Sequence, residues 1–193
     1  MIAVREGDFD QLEVLFERYR EPLYDFFRRL TGNRVTSEDL LQEVFVRILK
    51  YRATYRETNR FATWMYRIAR NSRIDHFKRD RAETAEVNPF ASLADDIAVS
   101  TLTPSRQLEE NEEKAMLQCA LRQLSESNRE LLILARYQEM DYEDIAELLG
   151  IELGAARTRV HRAMKELRDV FMNIRRNKSS CSVTKSETTS PTT

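Results

Sequence analysis

FATWMYRIARNSRIDHFKRDR, residues 61–81, has the periodicity of a single helix of about twenty residues. At 100° per residue one face of this helix is apolar and carries Phe61, Trp64, Met65 and Ile68. The other side carries Tyr66, Arg67, Arg70 and Arg73. An apolar stripe backed by arginines suits a surface that holds a phosphate backbone and stacks bases. A solvated basic face on an ordinary bundle helix is the alternative, and this stretch alone fits both interpretations.

The composition indicates an all-α protein of one domain or two small ones. The chain has 193 residues, 41% of them hydrophobic and 33% charged, with only four Gly and four Pro. So few turn-forming residues disfavour an all-β fold. No apolar run is long enough to span a bilayer, and the N-terminus lacks the pattern of a signal peptide. We therefore expect a cytoplasmic protein without membrane insertion.

The net charge of −1 conceals blocks of opposite sign. Arg47–Arg81 holds eleven Lys/Arg against three Asp/Glu, whereas Ala82–Glu113 holds one against eight. Lys114–Leu153 holds four against eight, and Gly154–Lys178 holds eight against two. Two basic blocks separated by an acidic middle predict two nucleic-acid-facing surfaces. Residues 82–104 are acidic, with two prolines, and are predicted to be a linker.

In the first half, Asp8 is predicted to cap a helix that ends near Arg20, and Pro22 to begin a second one that ends at Gly32. Thr36 and Asp39 have the spacing of a capping box for a third helix that ends near Lys50. The outward face of that helix carries Asp39, Gln42, Glu43, Val46 and Lys50. An apolar residue within such a polar face suits docking to another protein, although a lone exposed valine is also common.

Residues 51–60, YRATYRETNR, have no clear period and are predicted to be a loop that leads into the helix of residues 61–81. Two tyrosines and three arginines make this loop suitable for stacking and holding an unpaired base.

In the second half, helices are predicted over Ser105–Leu124, with Cys119 as a packing residue, and from Arg129 to about Glu139, capped by Ser127. A short helix after Asp141, a turn at Gly150 and a basic helix from Leu153 to about Arg176 then predict a helix-turn-helix. Its outward side carries Arg157, Thr158, His161, Arg162 and Lys165. These residues suit base edges and phosphates, and a solvated basic face is the alternative. The Ser/Thr-rich residues 179–193 look disordered.

No nucleophile, acid–base pair, phosphate-binding glycine loop or metal cluster is evident, so we expect neither an enzyme nor a cofactor or metal. Cys119 and Cys181 do not form a metal-binding spacing, and the chain has only two histidines.

Three segments together resemble a known family. TSEDLLQEVFVRILK (36–50) and RFATWMYRIARNSRIDHFKRDR (60–81) resemble the second region of bacterial RNA polymerase sigma factors. DYEDIAELLGIELGAARTRVHRAMKELR (141–168) resembles their fourth region, and this two-region layout is similar to the extracytoplasmic-function group. The resemblance implies two small helical domains: region 2 at residues 1–81, the acidic linker at 82–104, and region 4 at 105–178. The tail at 179–193 follows them.

The resemblance also implies partners and residue roles. Asp39, Gln42, Glu43 and Val46 would dock on the clamp helices of the largest polymerase subunit, and region 4 on the flap of the second largest. The residues that would capture a base of the minus-ten element and help to open the DNA are Tyr55, Arg56, Trp64, Tyr66, Arg67 and Asn71. The helix-turn-helix residues would read the minus-35 element. An anti-sigma factor would hold the protein inactive, and the free protein would be a monomer.

Two alternatives to a sigma factor follow from the sequence. An autonomous dimeric helix-turn-helix regulator would leave the block from Asp39 to Arg81 without a role. A helical interaction module that never touches DNA would leave the two basic blocks unexplained.

Overall fold

The computed structural model describes the backbone of residues 1–58, 60–83 and 104–183, and the side chains of residues 1–58, 60–79 and 112–177. These ranges contain eight α-helices and no β-strand, which confirms the predicted all-α class. The helices are α1 (Ile2–Glu6), α2 (Asp10–Thr31), α3 (Arg34–Tyr51), α4 (Phe61–Glu83), α5 (Pro104–Gln123), α6 (Glu126–Leu132), α7 (Tyr142–Leu149) and α8 (Leu153–Val183).

Two short elements join these helices, a 3₁₀ turn at Arg52–Thr54 and a π-helical turn at Ile133–Tyr137. Most of the predicted linker (84–103), the end of the tail (184–193) and the side chain of Cys181 lie outside the described part. The helix α8 continues to Val183, past the predicted end near Arg176.

The chain forms two compact units. The described part of the first unit comprises residues 1–83 without residue 59, together with Ile133–Thr158. That of the second comprises residues 104–132 and 159–183.

In the first unit, α2 is one helix of 22 residues, so the predicted break at Pro22 is wrong. Proline removes one backbone hydrogen bond, but the side chains on both sides of it are packed. Phe16 meets Phe45 at 4.9 Å before the proline, and Phe26 and Phe27 are fully buried after it. The predicted cap is also wrong, because the residue before the first turn is Phe9 rather than Asp8. The helix α1 has no counterpart among the predicted elements.

The start of α3 also differs from its prediction. Asn33 has extended backbone angles, and its side chain accepts a hydrogen bond from the Thr36 amide at 3.1 Å. Asn33 is therefore the cap, and Thr36 lies within the first turn. Gly32 ends α2 with a φ of 69°, a left-handed conformation that glycine adopts without a steric penalty.

The helix α4 is buried on more than the single predicted face. Met65 has no exposed surface, as expected, but Ala69 is also fully buried, and Tyr66 and Arg73 are only 3% and 4% exposed. The helix contacts both α3 and α7, and the ring of Tyr66 packs against Phe26 of α2. One apolar stripe in the sequence therefore underestimates the number of neighbours of this helix.

In the second unit, Arg129 of α6 stabilises the carboxyl end of α5. Its guanidinium group donates to the carbonyls of Leu121 (2.9 Å), Arg122 (2.8 Å) and Leu124 (3.3 Å). A helix leaves its last carbonyls without intrahelical partners, and a cation there also complements the helix dipole.

Two predictions for the second unit are wrong. The cap of α6 is Ser125, whose Oγ accepts from the Asn128 amide at 3.3 Å, and not the predicted Ser127. Cys119 is exposed, so its predicted packing role is also wrong.

Arg129→Ala should destabilise the second unit by about 2–3 kcal/mol, because it removes charge-assisted hydrogen bonds to carbonyls at a buried helix end. Urea unfolding followed by circular dichroism measures this change. The control Arg122→Ala removes an exposed arginine of the same helix end and should change stability by less than about 0.5 kcal/mol. Equal effects of the two substitutions would contradict the capping role.

Candidate nucleic-acid interface

A cleft of about 330 Å³ lies in the first unit between the segment after α3 and the helix α4. Its lining residues are Tyr51, Thr54, Arg56, Trp64, Arg67, Ile68 and Asn71. Four of the six residues predicted to act on the minus-ten element thus line one cavity: Arg56, Trp64, Arg67 and Asn71. Arg56 and Asn71 are exposed, so their guanidinium and amide groups are available to a ligand. An arginine, an amide and an aromatic wall are the groups that hold an unpaired base.

Tyr55 and Trp64 form an aromatic cluster with Phe61. The ring of Tyr55 lies 5.4 Å from that of Trp64 and 6.1 Å from that of Phe61, in edge-to-face arrangements. Tyr55 and Trp64 are only 8% and 7% exposed. Burial, with a contribution from Glu57, raises the pKa of the Tyr55 phenol, which keeps the ring neutral. The two rings therefore support the cleft and are not open stacking platforms in this conformation.

Tyr66 does not face solvent, which corrects its predicted place on the outer side of α4. Its ring packs against Phe26 at 5.2 Å, and its hydroxyl group hydrogen bonds to the Gln138 side chain. Gln138 in turn donates to the carbonyl of Pro22 at 3.1 Å. Burial raises the pKa of the Tyr66 phenol well above its ordinary value. Tyr66 therefore belongs to the core, where it joins α2, α4 and the segment that precedes α7.

Two arginines of the predicted DNA surface are paired with carboxylates of α7 and its cap. Arg67 contacts Glu147 at 2.9 Å, and Arg60 contacts Asp144 at 2.8 Å as well as Asp141. Arg60 and Arg67 remain substantially exposed, at 67% and 42% of their side-chain surface. The Arg67–Glu147 pair is exposed on both sides, and such pairs contribute little to stability, so a phosphate group can replace this carboxylate at small cost.

The predicted docking face of α3 is largely open. Asp39 and Gln42 are exposed, and Val46 exposes 64% of its surface. Glu43 is different, because its carboxylate is half-buried between Arg47 (2.5 Å) and Arg79 (3.1 Å). These ion pairs fix Glu43 at the base of the face. Val35, which sequence reasoning missed, is 65% exposed on the first turn of the same helix.

The helix-turn-helix has the predicted turn. Gly150 ends α7 with a φ of 64°, and α8 begins three residues later. The five predicted reading residues, Arg157, Thr158, His161, Arg162 and Lys165, are all exposed. Arg157 pairs with Glu143 at 3.5 Å, and the Thr158 hydroxyl group donates to the Gly154 carbonyl at 2.9 Å.

No helix within the described ranges is long and apolar enough to cross a membrane. The same part of the chain contains no group of three or more His, Cys, Asp or Glu side chains placed to hold a metal ion.

Comparison with known proteins identifies two family segments and several relatives of similar length. Residues 15–83 match the Sigma-70 region 2 family, and residues 114–167 match the Sigma-70 region 4 family. The RNA polymerase sigma factor CarQ of Myxococcus xanthus is 32% identical over 174 residues, which cover 89% of this chain and 95% of CarQ. The ECF RNA polymerase sigma factor SigW of Bacillus subtilis is 28% identical and covers 89% of this chain and 94% of its own.

Solved structures share the fold. The sigma factor RpoE of Bartonella quintana, determined in complex with the anti-sigma factor NepR, superposes with a TM-score of 0.67 at 22% identity. That match covers 86% of this chain and 97% of RpoE. CnrH, in complex with the cytosolic domain of CnrY, gives a TM-score of 0.65 at 19% identity, with 88% and 93% coverage.

The burial of Tyr66 predicts that the free energy of unfolding falls as the pH rises in the alkaline range. The folded-state pKa is above the unfolded value of about 10, so the stabilisation is complete below pH 10 and is lost as pH rises towards the folded pKa. The slope should be about 1.4 kcal/mol per pH unit, and Tyr66→Phe should lack this contribution. Urea unfolding between pH 8 and about pH 11.5, followed by the fluorescence of the single tryptophan Trp64, measures both proteins. Parallel pH profiles would show that Tyr66 ionises equally in the folded and unfolded chain.

Proposed function

Since this chain belongs to the extracytoplasmic-function group of RNA polymerase sigma factors, we propose that its first unit docks on core polymerase and captures a promoter base in the cleft between the 3₁₀ turn and α4. The protein directs promoter-specific initiation of transcription. The observation that carries the detailed assignment is the convergence of Arg56, Trp64, Arg67 and Asn71 on one cavity. The alternative of an autonomous dimeric regulator is not favoured, because the relatives match the docking block as well as the helix-turn-helix.

The α3 face supports the docking role. Val46 is an exposed apolar side chain between the polar groups of Gln42 and Lys50, and Asp39 lies one turn before Gln42. A small apolar centre with a polar rim is the usual anatomy of a protein interface. We propose that this face binds the clamp helices of the largest polymerase subunit, and that residues of the region 4 segment bind the flap of the second largest.

The cleft provides a physical route to promoter opening. A base that leaves the duplex loses its stacking and pairing, and a protein pocket must replace both. Hydrogen bonds to the base edge and ionic contacts to the flanking phosphates can replace part of what the base loses. Asn71 can donate to and accept from a base edge, and the guanidinium groups of Arg56 and Arg67 can hold the adjoining phosphates. Trp64 forms part of the wall, and Tyr55 supports it from behind. Tyr66 acts indirectly, by fixing α4.

We propose that α8 reads the minus-35 element with Arg157, Thr158, His161, Arg162 and Lys165. Their exposure and positive charge fit a recognition helix, whose first residues meet base edges. Arg157 can pair bidentately with a guanine, and the later basic residues can hold phosphates. The domain limits of 1–81 for region 2 and 105–178 for region 4 belong to the same proposal.

The named relatives are sigma factors, and we propose that the chain itself carries out no bond-making chemistry. Because a sigma factor acts together with core polymerase, we propose that the protein is cytoplasmic. RpoE was solved with the anti-sigma factor NepR, and CnrH with the cytosolic domain of CnrY. We propose that an anti-sigma factor covers the docking and DNA-facing surfaces of this protein. The free protein would then be a monomer.

Reconstitution with core RNA polymerase and run-off transcription on genomic fragments tests the function. The wild-type protein should bind polymerase and direct specific start sites. Val46→Asp should weaken polymerase binding about tenfold or more, because it places an unpaired charge at the centre of the interface. Val14→Asp, at a valine of α2 that is also exposed (51%), is the matched control and should bind normally. A wild-type protein that neither binds polymerase nor directs specific starts would overturn the proposal.

Asn71→Ala should leave polymerase binding unchanged and slow open-complex formation about tenfold, since a lost base contact is worth about 1–2 kcal/mol. Permanganate footprinting of unpaired thymines measures the opening. A template with a pre-melted start region should restore the rate. Asn173→Ala, at an exposed position of α8, is the control and should open promoters at the wild-type rate. A defect of equal size on pre-melted DNA would argue that Asn71 acts elsewhere.

A further inference from the structure

The short helix α1 lies outside the segment that matches region 2, which begins at residue 15. It is nevertheless an integral part of the first unit, because Val4 is completely buried. Gly7 ends α1 with a φ of 106°, and its amide bonds back to the carbonyl of Val4. That left-handed residue ends α1 and directs the chain towards α2.

Arg5 of α1 reaches across the fold to the loop that borders the cleft. Its Nη1 donates to the backbone carbonyl of Tyr55 at 3.3 Å, and its Nη2 lies 3.3 Å from the Glu57 carboxylate. Tyr55 stands between Thr54 and Arg56, which both line the cleft. The guanidinium group of Arg5 therefore holds the backbone at the midpoint of the cleft-lining loop.

The other end of this loop is held independently. The Arg52 side chain donates to the Leu49 carbonyl at 2.8 Å, and its guanidinium group lies 5.4 Å from the ring of Phe9. The Tyr55 amide bonds to the Arg52 carbonyl at 3.2 Å. With Arg52 fixed at the start of the loop, the contacts of Arg5 restrain the part that carries Arg56 and Glu57.

We propose that Arg5 is a positioning residue for base capture: it presets the loop at residues 54–57 in the conformation that receives the unpaired base. This inference rests on the proposed function of the cleft. A loop that is ordered before binding does not lose its conformational freedom when the base enters, so the pocket binds more tightly. Arg5 acts through the loop backbone and does not contact the base.

Amide hydrogen exchange of the free protein tests the restraint without reference to promoter DNA. Arg5→Ala should speed exchange in residues 53–58 about five- to tenfold and leave α3 and α4 unchanged, as expected for the loss of a charged hydrogen bond. Arg20→Ala is the matched control, because Arg20 pairs only with the exposed Glu17 among the contacts described for it and lies on α2. Unchanged exchange in residues 53–58 would overturn the proposal, as would faster exchange throughout the first unit.

The effect on base capture is tested with holoenzyme and a single-stranded DNA selected by wild-type holoenzyme from a randomised pool. Each position of the selected strand is replaced in turn by an abasic site, which identifies the captured base. Arg5→Ala should weaken binding of the intact strand about five- to tenfold, and should bind the strand without the captured base as the wild type does. A general folding defect would weaken both strands equally and overturn the positioning role.

Two conservative variants separate the contacts of Arg5. Glu57→Gln removes the ion pair with Glu57 but keeps the bond to the Tyr55 carbonyl and the longer contact with Glu6 (3.6 Å), so it should retain most of the discrimination between the intact and abasic strands. Arg5→Lys keeps the charge on a shorter, single-headed group and should recover only part of it. If wild-type holoenzyme selects no sequence, the proposed function fails and only the exchange experiment bears on Arg5. If it selects one and Arg5→Ala still discriminates fully, the inference about Arg5 alone fails.

Discussion

The packing of α4 in the first unit is the constraint on which the functional surface depends. Met65 and Ala69 are fully buried, and Tyr66 packs on Phe26 while its hydroxyl group bonds to Gln138. Each fully buried large apolar side chain contributes about 1.5–3 kcal/mol, far more than any exposed ion pair. The helix is therefore held by its core side chains, and its stability depends little on the exposed polar residues that can contact a ligand. Asn71, two turns after Trp64, projects from a rigid support.

The charges on α4 behave differently from its core. Arg60 and Arg67 are paired with Asp144 and Glu147, but both guanidinium groups are exposed to solvent, where salt screens their interactions. The carboxylates accept hydrogen bonds from the guanidinium groups, and these contacts can still be exchanged for others. A phosphate group can accept two hydrogen bonds from a guanidinium group, as a carboxylate does. A DNA backbone also carries closely spaced negative charges. The exchange of carboxylate for phosphate thus preserves the hydrogen bonds of the arginines and needs little free energy. If apolar side chains covered the same arginines, that packing would have to be disrupted first.

Local features of the structure were readable from the sequence, and features set by distant segments were not. The periods of α3, α4, α7 and α8 reflect side chains within a few turns of each other, and the left-handed turn at Gly150 is a property of one residue. Periodicity identifies a buried face but not the number of neighbouring helices. Tyr66 looked outward because its partners, Phe26 and Gln138, are 40 and 72 positions away in the chain.

The errors at Pro22 and Asn33 have related causes. A proline has a local cost, which here is smaller than the packing on both sides of it. Asn33 and Thr36 are both good caps, and the choice between them was made by the short connection from α2, which leaves Asn33 extended immediately after Gly32. Arg5 gives no signal in the sequence, since a lone arginine on a five-residue helix has no period. Its contact depends on a fold that brings residues 5 and 57 together.

The cleft combines two kinds of wall, and this combination has a physical reason. Trp64, Arg67 and Asn71 stand on a helix, where packing keeps their positions almost constant. Thr54 and Arg56 stand on a loop, whose backbone groups can approach a ligand more closely than helix side chains allow. Capture of an unpaired base gains only a few kcal/mol, while ordering each loop residue costs about 1–2 kcal/mol. A free loop of four residues would consume that gain. The loop can contribute to capture only if contacts such as those of Arg5 and Arg52 have already ordered it, so the stability of the first unit and the affinity of its cleft are coupled through the same few bonds.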